Sequence, residues 1–474
     1  MGEKKSNNSL RELRGWRLYG YSFGIFGMML PFTLVNGYAF QFYVYTIGLD
    51  ALIVSVGLFL GAIIFGIFSI VFGVMADNKT PTRFGKRKLV FLWGIIPYCI
   101  ISVFIWISPW KNPENMPIYL PTAIYFCSMI FFYRIVYALL LSPYNSIFPD
   151  ISQTESNRIK VTGIQVLLST ISGLIGMLLP VLIQASVEDP LHTKWWEPSG
   201  EKIIKLIPWV GGIFGGIALI ILVFTFVSID EKFHYNNFIK TSDEEKEEIS
   251  RPNSLRESFQ HIFIPMRDSE YKKLIISIGL SEMGTIIIGI VFLPFLTYVL
   301  ELQEMQFIWS YAIGTPLLFI GLKIWQIILK KYGLIKGLQL NFLISLVFAL
   351  LPVIFFLQLP SWLSISLGIF ILSGSMANVM GKYLFFSPII SQMIDISPFK
   401  NEKKENLSGA YFGLNLFVTN ISMGFANLIL GIILSGSRAE NPTFILLVYP
   451  VLAIIFFLAW SILRRMKFSK LDQN

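Results

Sequence analysis

Apolar runs long enough to cross a bilayer recur along the whole chain, separated by short polar segments. A membrane-crossing helix needs about 20 apolar residues, more when it tilts. On that ruler the pattern predicts twelve spans, over 18–47, 51–76, 88–108, 118–148, 159–186, 204–229, 271–300, 306–331, 337–357, 362–394, 407–435 and 442–465. Six precede a polar stretch at 230–270 and six follow it. The expected product is an all-α integral membrane protein. Its N-terminal six-helix half covers 1–229, its connector 230–270, and its C-terminal six-helix half with a tail 271–474. The connector carries Asp243-Glu-Glu-Lys-Glu-Glu248, Arg251, Arg256 and Arg267, and reads as a solvated segment with some helix and no chemistry of its own. The first apolar run is too long for the core of a cleavable signal peptide, so none is expected.

Composition agrees with the pattern. Of 474 residues, 54% are hydrophobic and only 14% charged, against about a quarter charged in a soluble domain, and the mean hydropathy is +0.65. A soluble protein is excluded. The net charge of +9 is no sign of a nucleic-acid partner, because the cations sit in short loops between apolar spans. Those cations alternate between faces. Lys4 to Arg17, Lys79 to Lys88, Arg158 with Lys160, Lys330 to Lys336, Lys400 to Lys404, and Arg464 to Lys470 all fall on one face. Cations gather on the cytoplasmic side of short loops, so both termini are expected in the cytoplasm of a cell-membrane protein. Cys99 and Cys127 lie inside apolar runs and read as small buried residues, not as a disulfide framework.

The two halves echo each other. The fourth span ends in Ser142-Pro143 with Asp150 seven residues after the proline, and the tenth in Ser387-Pro388 with Asp395 at the same spacing. Paired halves with a binding site between them are a transporter plan. The segment from Asp77 through Arg83, Gly85, Lys86, Arg87 and Lys88 joins the second and third spans. It is expected to act as a cytoplasmic gate, through charge pairs between helix ends and a turn at Gly85 that a side chain would obstruct.

Four motifs in order, Tyr21-Ser-Phe-Gly24-Ile-Phe-Gly27, Asp77 through Lys88, Pro143-Tyr144 through Pro149-Asp150 with Arg158, and Gly409-Ala-Tyr411-Phe412-Gly413, resemble the glycoside–pentoside–hexuronide:cation symporters. These are the melibiose-permease-like branch of the major facilitators. The resemblance covers nearly the whole chain. It implies the major facilitator fold and secondary transport of a sugar or glycoside by alternating access. Residue by residue, however, the family's charges are missing. Its span-two acidic pair falls on Phe65 and Ser69, its span-one aspartate on Met29, and its span-four acid on Leu141. Its span-five arginine falls near Gln165, its span-eleven lysine near Asn420, and its span-four tryptophan on Asn145. Tyr137 is retained.

An ionisable group within the bilayer costs at least ~2.5 kcal/mol at a helix centre, so each one calls for a reason. Arg134, Tyr137, Leu141 and Asn145 share one face of the fourth span, at three- and four-residue steps. The expected substrate-binding set is Arg134, Tyr137, Asn145, Gln165 and Asn420. Arg134 is expected near the midplane with an acidic or polar partner from the other half, Glu282 being the carboxylate set well inside a span. Against this stands a purely structural arginine. Glu282 and Lys382 are candidates for ion coupling or a charge pair, whereas Lys323 reads as a snorkelling side chain. Amides such as Asn36, Gln41, Asn378 and Asn415 suit hydroxyl-bearing solutes and equally serve as glue between helices. His192, His234 and His261 fall in predicted loops. No nucleotide loop, metal cluster or catalytic constellation appears, so no enzyme, cofactor or metal is expected. The expected partners are a small molecule, membrane lipid and, as a coupling ion, a proton. A lysophospholipid-like amphiphile is the alternative substrate, and a receptor that has lost transport is the third reading.

Overall fold

Apolar length sets helix length here, because backbone N–H and C=O groups inside a bilayer must pair within their own segment. The computed structural model describes residues 11–240, 263–395 and 408–466, apart from 115 and 358. Its first half comprises α1 (Trp16–Gln41), α2 (Ala51–Asn78), α3 (Lys88–Phe104), α4 (Leu120–Ile151), α5 (Glu155–Ala185) and α6 (Pro198–Ser228). A short α7 (Lys232–Lys240) follows. The second half comprises α8 (Ser269–Pro294), α9 (Glu304–Leu350), α10 (Ser361–Gly381), α11 (Tyr383–Asp395), α12 (Ser408–Leu434) and α13 (Pro442–Arg464). Among the described residues the only bridge between extended segments is Thr82 with Gly85.

Ten helices are long and apolar enough to cross a membrane, and α3 is a shorter apolar one. One of the ten runs from Met305 to Phe356. At 1.5 Å per residue its 52 residues would span ~78 Å, more than twice a ~30 Å hydrocarbon core. It therefore crosses twice. The turning point is Gly333, whose φ of 75° breaks the helix. That makes twelve crossings in two six-helix halves. Two predicted boundaries move. The eighth and ninth spans are joined through Gly333 instead of being separated by a loop, and the tenth is broken at Lys382. In the connector, α7 holds His234, so that histidine is helical and not in a loop. Residues 241–262, with Asp243 to Glu248 and His261, lie outside the described residues.

An even number of crossings puts the start of α1 and the end of α13 on one face. On the opposite face the halves repeat a local device. Each first helix runs into one π-helical turn, Phe42–Thr46 after α1 and Phe295–Val299 after α8. Tyr45 and Tyr298, at the same place in each turn, stack at 5.3 Å. Tyr45 also donates to the Ala439 carbonyl at 2.9 Å, Lys194 pairs with Glu440 at 2.7 Å, and Asp50 accepts from the Gly436 N–H at 2.9 Å. Deeper in, α2 lies along α12. A Cβ on Gly431 would stand 2.4 Å from that of Ser55, Phe59 meets Phe425 at 5.2 Å, and Gly66 faces Phe417 near mid-membrane.

Candidate functional site

The centre of the first half is a packed cluster of aromatic rings and thioethers with one buried cation in it. Arg134 sits 14 residues into α4, about 21 Å along a 32-residue helix. Its side chain is buried, with 1% of its surface exposed. Nη2 donates to Asn36 Oδ1 at 2.7 Å and lies 3.7 Å from Met423 Sδ, and the guanidinium stands 5.4 Å over the Phe32 ring. Nε and Nη1 are buried without a hydrogen-bond partner among the described residues. Gly61 on α2 admits the arginine stem, since a Cβ there would lie 3.3 Å from Arg134 Cγ.

One turn along, Tyr137 stacks on Phe32 at 4.4 Å and on Phe65 at 5.5 Å, and its hydroxyl lies 3.9 Å from Met29 Sδ. So Met29 and Phe65, where the symporters carry acids, line the wall around Tyr137 as apolar groups. Ser69 uses its carbonyl to accept from Ser142 at 2.7 Å. A hard cation wants several oxygen ligands, and the described residues hold no cluster of acids that would supply them. A sodium gradient is therefore expected to give no specific stimulation of uptake in vesicles. Strong sodium-dependent stimulation would refute this.

The remaining predicted binding residues lie elsewhere. Asn145 is exposed and 11 residues beyond Arg134. It shares the face but sits about 16 Å along the helix. Gln165 donates to the Tyr144 hydroxyl at 2.7 Å, and Tyr144 in turn donates to the Tyr21 carbonyl. Asn420 bonds its own helix at the Leu416 carbonyl. Arg134 and Tyr137 are brought together, and Asn145, Gln165 and Asn420 do not touch them.

Glu282 is not the partner of Arg134. It pairs with Lys382 inside its own half, Oε1 to Nζ at 2.9 Å, and its Oε2 accepts from the Tyr383 hydroxyl at 3.0 Å. The expectation failed because Asn36 on α1 and Met423 on α12 reach the arginine first. Asn36 is one of the span amides that suit hydroxyl-bearing solutes, and here it accepts from the arginine. Phe32 and Met423 carry no sequence signal that separates them from ordinary core. Lys323 is exposed, consistent with a side chain reaching out of the bundle.

The loop from α2 to α3 is organised by a residue that sequence reasoning passed over. Glu231, buried just after α6, accepts through Oε2 from the backbone N–H groups of Lys86, Arg87 and Lys88, each at 2.9 Å. Three amides at a helix N-terminus make a site for negative charge. Gly85 has a φ of 114°, and a Cβ there would stand 2.5 Å from that same oxygen. Arg87 pairs with Asp150 at 2.5 Å and donates to the Ser146 carbonyl, Arg17 pairs with Asp230, and Arg83 is exposed. These pairs tie α3 to α4, and tie α1 and α3 to the start of the connector just after α6. They lie within the first half and its connector. The Asp77 side chain lies outside the described residues.

The family profile described as MFS/sugar transport protein matches residues 20–462. The chain belongs to that family. It is a secondary transporter of the membrane, not an enzyme. Over its length this MFS transporter is 22% identical to an uncharacterized symporter, YnaJ of Bacillus subtilis (strain 168), with 96% of this chain and 91% of the relative aligned. It is 30% identical to the isoprimeverose transporter of Lactiplantibacillus pentosus over 158 residues, 33% of this chain and 31% of that one. An uncharacterized symporter of Synechocystis is likewise matched over 31% of its length. The chain thus spans about a third of these last two curated relatives. Among solved structures, the fold matches the nucleoside transporter NupG with a TM-score of 0.61 at 13% identity, covering 95% of this chain and 99% of that one. It matches a D-xylose-proton symporter at 0.59 and 12% identity, covering 95% and 97%. At such identities the likeness speaks for the fold alone.

Proposed function

We propose that this transporter moves a sugar or glycoside across the cell membrane by alternating access, with its termini in the cytoplasm and its central binding site at Arg134 and Tyr137. The observation that carries the reading is the guanidinium itself. A charge with two unpartnered nitrogens, buried at mid-membrane beside a stacked aromatic wall, is costly unless something fills its hydrogen bonds in the working cycle. A hydroxyl-rich ring supplies acceptors for Nε and Nη1 and a face for Phe32 and Tyr137. The family description and the isoprimeverose transporter support the sugar class. The loop at Gly85 is read as the cytoplasmic gate element, held in this conformation by Glu231 and Asp150. Asn145, Gln165 and Asn420 are placed on the route between this site and the cytoplasm.

A second reading, a lysophospholipid-like amphiphile, rests on one feature. Met29, Phe65 and Leu141 make this site apolar where the resembling symporters carry acids. Competition separates the two: radiolabelled isoprimeverose entering proteoliposomes should be displaced by excess glycoside and not by lysophosphatidylcholine. Saturable movement of the lysolipid with no sugar uptake would replace the first reading by the second.

A further inference from the structure

The arginine site leaves one buried ion pair unused, and it lies in the other half. Lys382 sits at the break between α10 and α11, where the helix closes one turn with the Phe385 N–H on the Lys382 carbonyl at 3.0 Å. Its ammonium is 1% exposed and the Glu282 carboxylate is buried with it. Besides Glu282 Oε1, Nζ donates to the Ser281 carbonyl at 3.1 Å, to the Ser281 hydroxyl at 3.2 Å and to the Thr285 hydroxyl. A buried pair held only by mutual charge cannot lose one partner, because the other is stranded. This one differs. Three oxygens from α8 hold the ammonium in addition to the carboxylate, so Lys382 keeps a polar shell when Glu282 is neutral.

Glu282 also has a second contact. Its other oxygen accepts from the hydroxyl of Tyr383, whose ring lies on the outside of the bundle beside the helix break. Among the described residues no competing charge surrounds Glu282. α12 has no charged residue along its length, and α1 and α13 carry only Arg17 and Arg464, at their terminus-facing ends. At this level α12 presents Ser422 and Val418 against Gly279, and α13 presents Phe456 against Gly284. Lys382 and Tyr383 are thus the titratable groups that meet Glu282 among the described residues.

We propose that Glu282 is the proton-binding group that couples transport, with Lys382 as its counter-ion and Tyr383 as its hydrogen-bond partner. The proposal rests on secondary transport and deepens it. It moves the coupling site from the first half, where the acids are gone, to the hinge of the second. A proton from water is taken up on the Glu282 carboxylate, and the Tyr383 phenol ends unchanged. The pair goes from neutral to a single positive charge and returns when the proton leaves to water. The rearrangement has a short physical route to the arginine site. Gly279, one turn before Glu282, abuts Ser422, with a Cβ there only 2.8 Å from its hydroxyl. The next residue, Met423, touches Arg134.

The deciding measurement needs no substrate. Infrared difference titration of the full-length protein in nanodiscs should show a protonated-carboxyl band that appears on acidification and is absent in Glu282→Gln. In Lys382→Met the same band should stand at neutral pH, and in Glu282→Gln/Lys382→Met, where both charges are gone, it should be missing from a folded protein. Identical spectra in wild type and Glu282→Gln across the pH range of the folded protein would overturn the proposal. With isoprimeverose as the probe, Glu282→Gln should lose accumulation driven by a pH gradient while retaining counterflow. Undiminished accumulation in that variant would also overturn it. A wild type that moves no isoprimeverose would count against the sugar reading and leave the infrared result to decide the proton site.

Discussion

Arg134→Ala should abolish saturable uptake while leaving the protein inserted and no less stable. A hydrogen bond to a charged group contributes about 1.5–3 kcal/mol. Two such bonds from Nε and Nη1 to a bound substrate amount to about 3 kcal/mol or more, on the order of a hundredfold in affinity. The stability side has the opposite sign. Nε and Nη1 are buried with no hydrogen-bond partner among the described protein groups, so removing the charge relieves a desolvation cost at the same time as it opens a cavity. Thermal unfolding of the purified variant should thus be unchanged or shifted up. Arg134→Lys should also fail, because a point charge cannot offer two nitrogens in one plane. A variant that unfolds early, with residual uptake in proportion to surviving protein, would make Arg134 a structural residue.

Gly85→Val should slow turnover about tenfold with substrate affinity little changed, and it should destabilise the protein as Arg134→Ala does not. The positive φ is strained for any side chain, and the new Cβ would displace Glu231 from the three amides it caps. Losing about 1.5 kcal/mol of such charge-assisted bonding in one conformation only is about a tenfold change in rate. Glu231→Gln keeps the shape and removes the charge, and should reproduce the slowing in milder form. Initial rates and half-saturation in proteoliposomes separate the two effects. Normal turnover in both variants would leave the loop as a topology signal alone.

Much of this architecture was legible because it is one-dimensional. The length of an apolar run fixes a crossing, and loop cations mark one face, so twelve spans could be read along the chain. Gly85 was legible because a glycine before a cationic helix start invites a left-handed turn. What failed were properties of pairing. Glu282 and Lys382 are far apart in the chain, and nothing local says that α8 meets the break in α10–α11 while Arg134 meets Asn36. Gly333 was missed as a joint because the two helices run up to it from both sides, so one residue does the work of the expected loop. Glu231 was passed over for a different reason. It stands at the edge of a polar connector, where an acid usually faces water, and only the fold turns its carboxylate back onto three amides of α3.

The central claim is that substrate binds at the Arg134–Tyr137 site and crosses by alternating access. Counterflow of radiolabelled isoprimeverose in proteoliposomes tests it most directly, run side by side on wild type and Arg134→Ala. Saturable exchange in the wild type that disappears in a folded Arg134→Ala is the expected result. Equal exchange in both, or exchange in neither while lysophosphatidylcholine moves, would contradict it.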